Sequence, residues 1–113
     1  MLIVEDEHDI RCLYKAEMED SFDLFFSENL RQGFEFFSKH WKELDAIVLD
    51  GLLDGLTSLE LAKFMSRRYE GPMVATSNHK SYIKRLQTEG GCQYAVEDKT
   101  KLAAFLRKLL KVD

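Results

Sequence analysis

The chain has 113 residues, 45% hydrophobic and 32% charged, which suits one soluble domain over residues 1–113 with a single core. A net charge of −4 and a pI near 5.4 disfavour direct nucleic-acid binding. No apolar run approaches the ~20 residues of a membrane helix, and the N-terminal run lacks the basic flank of a signal peptide. No membrane partner, a cytoplasmic location and no appended output domain are therefore expected.

The first run, Met1-Leu2-Ile3-Val4, stops on Glu5-Asp6-Glu7. Four apolar residues ending on carboxylates read as a buried parallel strand that delivers acids to a sheet edge. Ile10, Leu13, Tyr14 and Met18 then share one face of a first helix. A second run covers Phe22 to Phe26, and Leu30, Phe34, Phe37 and Trp41 repeat at helical spacing after it. That aromatic stripe reads as core packing. The third run, Ala46-Ile47-Val48-Leu49, stops on Asp50-Gly51. Gly51 and Asp54-Gly55 make the next segment turn-prone.

Leu61, Ala62 and Met65 mark a third helix, with Thr57 or Ser58 as its N-cap. Met73 to Ala75 forms the fourth run, and Ile83 and Leu86 give a weaker fourth helix. Tyr94 to Val96 is the last run. Leu102, Leu106, Leu109 and Leu110 line a fifth helix, for which Thr100 is the candidate cap. Cys12 and Cys92 are distant and outside any CxxC, so a reduced pair is expected. His8 and His40 lack partners at zinc-ligand spacing.

Regular alternation of this kind predicts five βα units, hence a parallel sheet with helices on both faces and right-handed crossovers. Ligands of such sheets bind beyond the carboxyl ends of the strands, where strand order reverses. Both acidic clusters lie at carboxyl ends. If their strands are neighbours, Glu5, Asp6 and Asp50 repel strongly unless a cation joins them. A divalent-metal site is the expectation.

Leu2-Ile3-Val4-Glu5-Asp6-Glu7 and Asp45-Ala46-Ile47-Val48-Leu49-Asp50 resemble the opening strand with its acidic pair, and the third strand with its phosphoacceptor, of response regulator receiver domains. The resemblance spans nearly the whole chain. It implies a flavodoxin-like α/β fold, a doubly wound five-stranded parallel sheet of order 2-1-3-4-5. It also implies a two-component phosphorelay in which Asp50 takes a phosphoryl group from a sensor histidine kinase or phosphotransfer protein. Mg2+ would be held by Glu5, Asp6, Asp50 and the backbone carbonyl of Leu52. A downstream protein target would read the face formed by helix four, strand five and helix five, and a homodimer is compatible with such a face. Self-catalysed phosphorylation and dephosphorylation, rather than turnover of a separate substrate, is the chemistry implied.

The family's switch hydroxyl falls on Thr76 or Ser77, with Ser77 favoured by the count from Pro72. Its lysine falls on Lys99 by the interval from Ser77, but on Glu97 by the count from Tyr94. An extended strand would keep both residues on one side. Tyr94 matches the family's switch aromatic, or is an ordinary strand aromatic. His79 sits near the site or on open surface, and Asp54 reads as a solvated turn residue. The family's loop proline and glycine are replaced by Asp54 and Ser58. If Glu97 held the lysine position, the chain would instead be a degenerate pseudo-receiver, a binding module independent of phosphorylation. A nuclease- or phosphatase-like metal enzyme is the least supported reading, because no Asp-x-Asp pair follows the strand.

Overall fold

Every predicted apolar run contributes a strand, and every predicted amphipathic stretch a helix. The computed structural model describes residues 1–112. The chain begins with β1 (Leu2–Val4), α1 (His8–Met18), β2 (Phe25–Ser27) and α2 (Leu30–His40). A 3₁₀ turn over Trp41–Glu43 leads to β3 (Ile47–Asp50), then to the short strands β4 (Leu52–Leu53) and β5 (Leu56–Thr57). The chain continues through α3 (Leu59–Ser66), β6 (Met73–Thr76), α4 (Lys80–Thr88) and β7 (Tyr94–Val96). A second 3₁₀ turn, Lys99–Lys101, enters α5 (Leu102–Leu109).

The main sheet runs β2-β1-β3-β6-β7 with every neighbouring pair parallel. Setting aside the small antiparallel hairpin β4-β5, this is the 2-1-3-4-5 order expected. The central strands are apolar on both sides because helices cover both faces. Period-two geometry divides their side chains between two cores. Leu2, Val4, Ile47, Leu49, Met73 and Ala75 face α2, α3 and α4. Met1, Ile3, Ala46, Val48 and Val74 face α1 and α5.

Phe37 anchors the first core, with ring centroids 5.8 Å from Phe64 and 6.4 Å from Tyr69. Tyr14, Met18, Leu102 and Leu106 close the second. Helix α2 starts where Asn29 accepts a hydrogen bond from the Gln32 N–H at 2.9 Å, filling one of the unpaired donors of the first turn.

Three local expectations need correction. The second strand starts at Phe25, because Phe22 is spent filling the α1/α5 core before the chain enters the sheet. The fifth helix is entered through a 3₁₀ turn capped by Asp98, whose carboxylate accepts from the Thr100 N–H at 3.0 Å and its hydroxyl at 2.6 Å. Thr100 is thus the residue capped. Ser58 precedes α3, but its hydroxyl donates to the Asp50 carbonyl at 2.6 Å instead of capping the helix. The Thr57 hydroxyl accepts from the Leu59 N–H at 3.3 Å. Among the described residues, no helix is long and apolar enough to cross a membrane.

Candidate functional site

Strand alternation brings the two acidic clusters together. Glu5 continues the Met1, Ile3 series and Asp50 the Ala46, Val48 series, so both lean toward the α1/α5 side of the sheet edge. Strands β1 and β3 pair directly, with Val4 opposite Leu49. The residue that meets the acids comes from the far end of the chain. Lys99 Nζ donates to Glu5 Oε1 at 2.6 Å and to Asp50 Oδ2 at 3.0 Å. All three side chains are buried: Lys99 is 7% exposed, Asp50 4% and Glu5 1%. The cation that the acids require is therefore supplied in part by the protein's own ammonium group.

Burial pushes the Glu5 carboxyl up to about 8; adjacent Asp50 adds to the rise and Lys99 opposes it. Burial works against the Lys99 ammonium too, yet the Glu5 and Asp50 carboxylates hold it above its ordinary value. Asp6 is nearer to solvent. Its partial burial is outweighed by hydrogen bonds, first among them the Asp54 N–H, and the carboxyl lies below its ordinary range. Behind the acids the Tyr14 hydroxyl is buried with no hydrogen-bond partner. Burial raises its pKa, and the charges of Glu5 and Asp50 raise it further.

The backbone around the acids is held from two sides. Arg11 Nη1 donates to the carbonyls of Glu5 at 2.9 Å and Asp6 at 2.8 Å, while Nη2 pairs with Glu28 at 3.2 Å. On the other side, the chain after Asp50 folds into β4-β5 around Asp54 and Gly55, with φ of 51° and 79°. Positive φ at both central residues is what a two-residue type I′ hairpin demands, and Asp-Gly supplies it. The Leu52 N–H donates to Asp50 Oδ1 at 3.3 Å, and the Asp54 N–H to Asp6 Oδ2 at 3.0 Å.

Glu5, Asp6 and Asp50 each offer a carboxylate oxygen within 4.8 Å of the others. Such an all-oxygen, anionic set suits a hard divalent cation. Beside it lies a cleft of about 100 Å³ lined by Glu7, Asp50, Leu52, Ser77, Asn78, His79 and Lys99.

The fold can be compared with solved structures. The signal receiver domain of an HD domain-containing protein from Pseudomonas fluorescens Pf-5 matches with a TM-score of 0.81 at 16% identity, covering 97% of this chain and 92% of that one. Response regulator TrrA from Thermotoga maritima, solved in complex with Mg2+ and BeF, matches at 0.79 and 22% identity, covering 97% and 95%. The receiver domain of NtrX from Brucella abortus matches at 0.74 and 22% identity, covering 99% and 98%. This chain has the receiver-domain fold. No family model matches the chain, and no curated protein does.

Within the receiver fold, the site residues expected from sequence fall as follows. Glu5, Asp6, Asp50 and Lys99 converge. Leu52 and Ser77 line the same cleft. Thr76 pairs in register with Asp50, is 1% exposed and is absent from the cleft lining, whereas Ser77 accepts from the His79 N–H at 3.1 Å. Glu97 is exposed. Strand β7 ends at Val96, and the 3₁₀ turn that follows brings Lys99 inward. The expectation that Glu97 and Lys99 share a side of an extended strand is thereby corrected. Tyr94 lies at the rim, 37% exposed, with its ring edge-on to Phe105 at 5.8 Å.

Sequence reasoning missed Arg11, Tyr14, the Ser58 hydroxyl and the Asp54 N–H. The Asp-Gly pair did signal a turn. Nothing local marks the Arg11 and Ser58 contacts, which reach the residues at the ends of β1 and β3, and Tyr14 is set apart only by its burial.

Proposed function

We propose that this chain is a phosphoacceptor receiver of a two-component relay. The observation that carries the reading is the Lys99 ammonium bridging Glu5 and Asp50 beside a small polar cleft. An oxygen of the Asp50 carboxylate would attack the phosphorus of a phosphohistidine on a histidine kinase or phosphotransfer protein. The phosphorus–nitrogen bond breaks, and the donor imidazole leaves with the electron pair. Mg2+ fits the donor set of Glu5, Asp6, Asp50 and the Leu52 carbonyl, and would neutralise charge on the phosphoryl oxygens.

The chain's own residues supply the rest. Lys99 pairs with a phosphoryl oxygen as a compact point charge, and Ser77 donates its hydroxyl to another. Both residues border α4, β7 and α5, so a conformer in which they reach the phosphate is favoured after transfer. A downstream protein that prefers that face then reads the signal.

Intact mass after incubation with acetyl phosphate and Mg2+ tests the reading. One phosphoryl mass should be gained by the wild type and lost in Asp50→Asn. No gain with acetyl phosphate or with phosphorylated kinase would leave a pseudo-receiver, a binding module independent of phosphorylation.

A further inference from the structure

The segment after Asp50 is more than a connection to α3. It is a strap of residues 52–58 tied to the acidic site at three points. Its first tie is the Leu52 N–H on Asp50 Oδ1 at 3.3 Å. The second is the Asp54 N–H on Asp6 Oδ2 at 3.0 Å, which joins residues 48 apart in sequence. The third is the Ser58 hydroxyl on the Asp50 carbonyl at 2.6 Å, reinforced by the Ser58 N–H on the Gly51 carbonyl at 3.1 Å.

The middle tie depends on unusual local chemistry. The N–H that reaches Asp6 sits at the hairpin tip, where Asp54 adopts φ 51°. Asp tolerates the left-handed region better than most side chains, and Gly55 at φ 79° completes the turn. A proline in place of Asp54 would have neither the N–H nor that φ. The Asp54 side chain itself is exposed.

We infer that the Asp54 main-chain N–H is a positioning group for the cation site: it holds one Asp6 oxygen so that the other stays turned toward the cation, and cation binding and hairpin order reinforce each other. The inference rests on the proposed cation site. Groups that orient a ligating carboxylate set its affinity without touching the ion. The coupling is reciprocal by linkage. Arg11 donates to the Asp6 carbonyl and holds its backbone, so the hairpin acts on the carboxylate torsion.

The test uses the full chain and Mn2+ alone as the probe, with affinity from calorimetry and hydrogen exchange of the Asp54 amide from NMR. Asp54→Pro should bind Mn2+ about 10-fold more weakly than wild type. Asp54→Asn, which keeps the N–H and tolerates positive φ, should restore it. In the wild type the Asp54 amide should be protected, and more so with a cation bound than without, diamagnetic Mg2+ standing in for Mn2+ in the NMR measurement. In Asp6→Ala that protection should vanish while amides of the central strands keep theirs.

Equal Mn2+ affinity in wild type and Asp54→Pro overturns the inference and leaves the cation site standing. Weak binding by Asp54→Asn makes the Asp54 carboxylate a ligand and also overturns it. An unprotected Asp54 amide in the wild type does the same, even if Asp54→Pro fails to fold. No Mn2+ binding by the wild type removes the cation site, and the inference with it.

Discussion

Glu5 occupies a position where its neutral form is favoured, with its carboxyl raised to about 8 from an ordinary 4.5. Between those values the folded protein keeps a proton that the unfolded chain has released. Rising pH therefore favours unfolding: the stability this group contributes is complete below about 4.5 and is lost as pH climbs through about 8. Glu5→Gln has no such titration. In the presence of a chelator, the melting temperature of Glu5→Gln should gain on that of the wild type from pH 5 to pH 8. A gap that stays constant over that range counts against the raised carboxyl. The acid pair itself was legible in the sequence, because an apolar run that stops on carboxylates is a local pattern. The pairing of Glu5 with Lys99 was not, since those residues lie 94 apart.

At the scale of elements, α4 approaches the sheet edge so closely that Gly51 has no room for a side chain. A Cβ there would lie 2.7 Å from Tyr82 Cβ. The Gly51 N–H is bound to the Thr76 carbonyl at 2.8 Å and its carbonyl accepts from Ser58, so the backbone is not free to yield. Gly51→Ala should cost about 1–3 kcal/mol in urea denaturation, the range for overpacking. A loss below about 0.5 kcal/mol would mean that α4 moves without resistance. The same scale explains why the register of Lys99 stayed open in the sequence. Counting along a strand assumes an extended chain, but the chain leaves β7 at Val96 and tightens into a 3₁₀ turn. Side-chain direction after a strand end depends on that turn, which Asp98 and Thr100 fix through their own hydrogen bonds. The five helices were readable because their apolar faces repeat every three or four residues.

For the whole molecule, Lys99 joins the first strand, the third strand and the start of the last helix through one buried ammonium. Removing it leaves two facing acids. Breaking a buried ion pair ordinarily costs ~3–5 kcal/mol, but Glu5 already favours its neutral form near pH 7, so Asp50 is the charge left without its partner. Lys99→Met should therefore lose roughly 2 kcal/mol near pH 7, below the ordinary range. It should lose more at higher pH, where the Glu5 proton is released. Mg2+ should raise the melting temperature of Lys99→Met by more than that of the wild type, because no ammonium competes for the carboxylates. An equal or larger Mg2+ effect in the wild type would mean that Lys99 and the cation do not compete for these carboxylates.

The alternation of short apolar runs with amphipathic stretches determined the α/β class, the parallel sheet and the delivery of Glu5, Asp6 and Asp50 to one edge. Those features follow from periodicity and burial, which a sequence carries residue by residue. Tertiary structure decided which positive charge faces the acids, which of two neighbouring hydroxyls lines the cleft, and how the Asp54-Gly55 turn folds back onto Asp6. Each of these depends on a contact between segments distant along the chain, set by how strands align and where turns tighten. No local pattern encodes that.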